Sequence, residues 1–372
     1  NIFQNLFINN FSILIISTSV CGTGILLNRF FKIGYKLENL FFYGLFIKLI
    51  LVLFLNLFFS LNIYVNTILA IIGFYFFFKN LKNIKINNNF NFIIFIPLIA
   101  AISIRDGFFF DNLLYHIPLI NLPIESNLVL GQSNINGRFA IPSLIFSIYS
   151  SFYLPILKYY SIFMLNSVFL LFIIKFFIDQ NNNGTLILKS IFKILIFFLL
   201  IDAFIHPLPI GIFLGRLGSP EYDFLIGLLH IYLVFYVADY IQKNKIEYNF
   251  YIIILLALTF FIKPTIFFIF FVFFWLVYLK RKNYFYLLVN YKINYLVLLI
   301  FFIVCFVKIF LSTGCLYTYL TFTCADVSWY ESEILDDLKA SSLSWKGYPT
   351  NTSSLMDFTW IAHWFKNYFL GT

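Results

Sequence analysis

Segment 105–138 reads RDGFFFDNLLYHIPLINLPIESNLVLGQSNINGR and follows directly on an apolar run. It brings Asp106, Asp111, Tyr115, His116, Glu125, Asn134 and Arg138 into one stretch of a chain otherwise poor in polar side chains. Carboxylates can take a proton from a hydroxyl, and an imidazole can orient an acceptor or a phosphate. A helix beginning at Asp111 sets that acid and Tyr115 on one face, a turn apart. The plainer alternative is that Asp111 only caps the helix while Tyr115 and His116 sit at the membrane interface.

Segment 206–223, HPLPIGIFLGRLGSPEYD, is the second concentration of chemistry. Arg216 offers a phosphate partner. Ser219-Pro220-Glu221 has the form of a helix start, with Ser219 as N-cap, Pro220 at the first helical position and Asp223 in the first turn. Together they can form an anion pocket at a helix N-terminus or simply a capped loop. Lys263, in Lys263-Pro264-Thr265, is either a lipid-phosphate contact or a lysine snorkelling to headgroups. Lys48, Lys308, Asp202 and His230 lie in apolar runs, where an ionisable group carries a functional flag by default. Cys315 and Cys324 share one polar segment and can close a small loop in an oxidising compartment, whereas Cys21 and Cys305 lie in apolar runs.

The elements that hold these residues follow from composition. The chain has 62% hydrophobic and 11% charged residues and a mean hydropathy of +0.91. A soluble domain carries roughly 25% charged residues, so lipid must solvate much of this surface. The 54 Phe and 25 Tyr, with abundant Asn, give any single Phe or Asn little weight. Apolar runs near spanning length cover 5–28, 39–61, 64–78, 90–104, 156–178, 190–206, 223–241, 248–262, 265–279 and 294–312. The expected fold is all-α: a polytopic transmembrane bundle of about ten spans, with external loops and short interfacial helices.

The net charge of +9 sits in clusters between runs: Arg29, Lys32 and Lys36; Lys79, Lys82 and Lys85; Lys189 and Lys193; Lys243 and Lys245; and Lys280, Arg281 and Lys282. That spacing marks cytoplasmic ends rather than a nucleic-acid surface, and it predicts a multi-pass plasma-membrane protein with an external N-terminus. Segments 105–155, 207–222 and 313–372 then lie outside. The threading requires that 139–152, FAIPSLIFSIYSSF, does not span; an interfacial helix on the outer leaflet fits. Pro264 makes 246–282 a hairpin in preference to one kinked helix. The expected domains are a transmembrane region 1–312, with its external loop 105–155, and an external cap 313–372. The chain opens at Asn1 and closes in a loop at Gly371-Thr372, which fits a fragment. No Walker A, GxGxxG or HExxH pattern is present, and no second ligand pair near the cysteines favours a metal there.

The run Asp111-Asn-Leu-Leu-Tyr115-His116-Ile-Pro118, then Glu125, then Gly131-Gln-Ser-Asn134-Ile-Asn-Gly137-Arg138, resembles a signature of a bacterial group of uncharacterised polytopic membrane proteins linked to surface-polysaccharide genes. Ser219-Pro220 with Asp223, and Ser312-Thr-Gly314-Cys315 with Thr323-Cys324 and Ser328-Trp329, resemble later features of that group in the expected order. The group in turn is similar to GT-C type integral-membrane glycosyltransferases. Two departures stand out: the acidic loop follows the fourth run rather than the first, and there is no DxD.

The resemblance implies transfer of a sugar from a polyprenyl-phosphate donor to a glycan acceptor at the outer membrane face. It implies Asp111 as first choice of general base and Asp106 as second, with His116 and Glu125 also in the catalytic set. Tyr115, Asn134, Arg138, Arg216, Asp223 and Lys263 would bind substrate, the cations facing the leaving phosphate. A divalent cation, Mg or Mn, held by carboxylates is compatible with this chemistry but not required by it. A polysaccharide polymerase or ligase of the O-antigen type would share the lipid substrate. A lipid-linked glycan flippase would instead show internal repeats and midplane polar groups.

Overall fold

The computed structural model describes residues 2–31, 35–84, 90–104, 112–141, 143–183, 217–220, 222–243, 247–263, 292–318 and 320–333, with the single positions 193, 274 and 278. The helices in chain order are α1 (Ile2–Phe31), α2 (Leu37–Phe58), α3 (Ile63–Lys79), α4 (Phe95–Ile102), α5 (Ile117–Glu125), α6 (Ile145–Ser150), α7 (Tyr159–Phe163), α8 (Leu165–Asn183), α9 (Tyr222–Lys243), α10 (Glu247–Ile262) and α11 (Lys292–Thr313). A 3-10 turn, Phe90–Ile94, leads into α4, and a π-helical turn, Asn112–His116, leads into α5. Among the described residues there is no strand, only two isolated bridges. The all-α class expected from composition is observed.

Four helices are long and apolar enough to cross a membrane: Ile2–Asn28, Leu37–Phe58, Tyr159–Asp179 and Ile293–Thr313. Shorter apolar helices occupy Ile63–Lys79, Phe92–Ile102, Tyr222–Val237 and Phe250–Ile262. These are the helices of a membrane protein. The expected runs 190–206 and 265–279 fall outside the described residues. On α3 the exposed side chains are Tyr64, Ile68, Ile71, Ile72, Tyr75 and Phe78, an apolar stripe at helical spacing. On α11 they are Ile293, Leu296, Ile300, Ile303 and Val307. Apolar stripes of this length on the outside of a folded protein need a hydrocarbon solvent.

The chain divides into two compact units, Asn1–Asn127 with Ser143–Cys305, and Leu128–Pro142 with Phe306–Thr372. The second unit therefore takes in 128–142 as well as the expected cap.

Within the first unit α2 is the hub, and every position from Leu37 to Phe46 is buried. Phe41 stacks on Phe172 of α8 at 4.2 Å, Phe42 on Tyr232 of α9 at 4.5 Å, and Phe46 on Phe301 of α11 at 4.4 Å. Tyr43 meets Tyr251 of α10 at 5.0 Å, and the hydroxyls of Tyr232 and Tyr251 are hydrogen-bonded at 2.9 Å. Aromatic pairs at these distances add about 0.5–1.5 kcal/mol each beyond area burial. On its other side α2 approaches α1 backbone to backbone. A side-chain carbon on Gly44 would stand 1.8 Å from the carbonyl oxygen of Val20, and one on Gly22 would stand 1.8 Å from that of Gly73. Small residues let helices pack this closely where no water drives them together.

Segment 139–152 is expected not to span, as an exposed interfacial helix. Its helix α6 has only six residues, and every position from Ser143 to Phe152 is buried in protein. Its serines bond protein carbonyls: Ser150 Oγ donates to that of Ile120 at 2.7 Å and Ser143 Oγ to that of Ile262 at 2.7 Å. It is a buried, broken segment rather than an exposed helix.

Replacing Gly44 with Val should cost at least about 2 kcal/mol of stability through overpacking. Gly227→Ala, where an added carbon meets nothing within 4 Å, should be neutral or slightly stabilising. Thermal unfolding in detergent measures both, and a Gly44→Val protein that melts like the wild type contradicts this packing.

Candidate functional site

Buried polar side chains converge at one end of the first unit. At the C-terminus of α2, Asn56 Nδ2 donates to the Ser126 carbonyl at 3.2 Å. At the start of α3, Asn66 Nδ2 donates to the carbonyls of Leu61 at 2.7 Å and Ser150 at 2.9 Å. Near the start of α8, Asn166 Nδ2 donates to the Ser219 carbonyl at 2.9 Å, and Ser167 Oγ to that of Leu217 at 3.1 Å. Beyond the C-terminus of α4, Ser103 bonds Ser167 at 2.7 Å. Ser143 Oγ donates to the Ile262 carbonyl at 2.7 Å, and the Leu144 amide to that of Phe261 at 2.9 Å. The same end of the bundle thus gathers the C-termini of α2, α4 and α10 and the N-termini of α3, α8 and α9.

Between these staples lies a cluster of rings and charges. His116 is 1% exposed, and its Nδ1 lies 2.7 Å from Asn112 Oδ1. An amide oxygen only accepts, so in this pairing Nδ1 is the donor. The imidazole meets Tyr115 edge-on at 4.3 Å, Phe146 of the buried segment 143–152 at 5.2 Å and Tyr222 at 5.2 Å. Tyr222 opens α9 and is followed by Asp223, whose carboxylate is paired with Lys263 just past α10. The Lys263 ammonium also lies 5.3 Å from the centroid of the Tyr222 ring. Asp223 in the first turn of α9 complements that helix's positive end.

The structure therefore brings Tyr115, His116, Asp223 and Lys263 together from three segments that the sequence flagged separately. Asp106, Asp111 and Arg216 lie outside the described residues. Glu125 is exposed in the last turn of α5. Asn134 and Arg138 belong to the second unit, where Asn136 Oδ1 accepts from the Arg138 amide at 2.9 Å. The helix expected from Asp111 begins as the π turn Asn112–His116. The helix expected from Ser219 begins at Tyr222, with Ser219 and Pro220 in the preceding turn. The backbone carbonyl of Ser219 there accepts from Asn166, so the residue joins two segments.

Of the flagged intramembrane groups, Lys48 is 1% exposed and its ammonium sits 4.3 Å from the Phe152 ring, at the end of the buried segment 143–152. Lys308 is buried, and His230 Nδ1 bonds the Ile226 carbonyl at 2.6 Å. Asp202 lies outside the described residues. Among the described residues no three His, Cys, Asp or Glu side chains come together as a metal site. The described residues alone thus do not fit a bound divalent cation. Sequence reasoning missed Asn56, Asn66 and Asn166, the residues that hold the site's backbone. The available signal was an Asn near the end of an apolar run.

A family model described as Domain of unknown function (DUF8201) matches residues 7–371. The chain belongs to that family. No curated protein and no solved structure matches it.

The expected disulfide is present between Cys315 and Cys324, and Cys21 and Cys305 are both buried free thiols. In the native, unreduced protein a bulky maleimide should label none of the four cysteines. Mild reduction should expose Cys324 alone, because Cys315 is buried, and denaturation after reduction all four, counted by intact mass. Labelling of native protein without reductant contradicts the pairing.

Proposed function

We propose that this protein is a membrane glycosyltransferase with about ten spans, GT-C-like in plan. It moves a sugar from a polyprenyl-phosphate donor to a surface-glycan acceptor at the outer face of a bacterial plasma membrane. The observation that carries this reading is the convergence of His116, Tyr222, Asp223 and Lys263 at one end of the bundle. An ammonium near a helix end suits the phosphate of a lipid whose chain lies in the bilayer.

The reaction needs few parts. An acceptor hydroxyl oxygen attacks the anomeric carbon of the donor sugar, and the bond from that carbon to the phosphate oxygen breaks. The hydroxyl proton passes to a carboxylate, for which Asp111, one residue before the π turn, is the first candidate and Asp106 the second. The phosphate departs on its polyprenyl carrier with its charge met by Lys263 and Arg216. Before the donor arrives, Asp223 holds Lys263 in place. On arrival the phosphate takes over that cation. Tyr115, His116 and Tyr222 make the ring cluster beside which the sugar would lie.

Asp111→Asn should lower transfer by at least about a hundredfold while membrane insertion stays normal. Unchanged surface glycan in that variant contradicts the assignment. Lys263→Met should raise the donor KM by roughly tenfold with a smaller change in kcat, and Lys263→Arg should recover most of it. Glycan analysis of a deletion strain separates this function from a polymerase. Loss of one sugar from every unit supports transfer, and intact single units without polymer contradict it.

A further inference from the structure

The second unit carries chemistry that the transfer reaction does not use. Two glycines with left-handed backbone shape it. Gly131 has φ +60°, and a side-chain carbon there would stand 2.7 Å from the Trp329 carbonyl oxygen. Gly314 has φ +77°, and a side-chain carbon there would stand 2.7 Å from Cβ of Tyr330. Only glycine permits both the conformation and the approach. The Cys315–Cys324 disulfide and the bond from the Ala325 amide to the Gly314 carbonyl, 3.0 Å, close the loop that delivers residues 329–331 to this position.

On that frame Asn134 Nδ2 donates to the Trp329 carbonyl at 3.1 Å and reaches Glu331 Oε1 at 3.4 Å. Phe310 meets the Trp329 indole edge-on, with centroids 6.3 Å apart. The indole is half-buried, and its Nε1, closed off from solvent, has no hydrogen-bond partner among the described residues. Asp326, Glu331 and Glu333 are all exposed.

We propose that Asn134, Trp329 and Glu331 form a binding subsite for a neutral saccharide. Its role as the acceptor subsite rests on the transferase reading; the binding itself does not. A pyranose presents an apolar C–H face ringed by hydroxyls. An indole held in place by Phe310 takes the face. A carboxylate fixed by Asn134 accepts from hydroxyls in charge-assisted bonds. A tryptophan that served only to sit among lipid headgroups would need no amide-held carboxylate beside it. The exposed carboxylates around it repel phosphate and anionic headgroups.

The test uses the full chain in lipid nanodiscs and four disaccharides as probes: maltose, cellobiose, chitobiose and mannobiose. Saturation-transfer NMR should show at least one of them bound through its ring C–H protons. Glu331→Gln, at an exposed position, should weaken that binding by roughly tenfold. Trp329→Leu, which removes the aromatic face, should weaken it by roughly fivefold. No binding of any probe, or binding by both variants equal to the wild type, overturns the proposal. Transfer activity without this binding sinks the subsite alone, and binding without transfer sinks the transferase alone.

Discussion

A carbonyl or amide with no water to turn to must find its partner within the protein, and the folded chain is organised by that requirement. Regular helices meet it along their length but not at their ends or at breaks. Here the breaks at one end are met by short polar side chains that reach out of neighbouring helices. Asn56 serves Ser126, Asn66 serves Ser150, Asn166 serves Ser219, and Ser143 serves Ile262. These bonds let a buried, broken segment and a π turn exist inside an apolar bundle. A buried carbonyl left without any partner costs roughly 1–3 kcal/mol.

Irregular backbone is also what makes room for chemistry. A straight helix facing lipid can present few groups to one point. The π turn sets His116 with its Nδ1 proton held by Asn112, and the buried segment 143–152 brings Phe146 against it. The start of α9 adds Tyr222 and Asp223, and the end of α10 adds Lys263. Lys263 and Asp223 neutralise each other there, so a cation can be kept near the apolar bundle. The same pairing contributes little stability, because both groups are substantially exposed. Its value is positional.

Much of the fold was legible because lipid imposes length and apolarity on helices. Eight of the ten apolar runs meet described helices, and four of those helices are long and apolar enough to cross a membrane. The disulfide was legible from two cysteines in one polar segment. The staples were not. In a chain this rich in Asn, nothing local separates Asn66, fully buried and triply bonded, from an Asn in a loop. The buried course of 143–152 was hidden for a related reason: Pro and Ser mark a break without saying whether water or protein satisfies it. The return of 128–142 to the second unit depends on contacts such as Gly131 with Leu311, which have no signal in local pattern. Of the site, residue types and grouping were visible in Tyr115, His116, Asp223 and Lys263, but their meeting required the threading to be known.

The central claim is that these chemistry-bearing residues occupy one membrane face. Sidedness of single cysteines, in a background with Cys21 and Cys305 replaced by serine and the disulfide intact, tests it most directly. In sealed vesicles of known orientation, a membrane-impermeant maleimide added to the outside should label cysteines at Asn62, Glu125 and Asp223 and should not label one at Lys82. Labelling of the Asp223 and Lys82 positions from the same side would contradict the account.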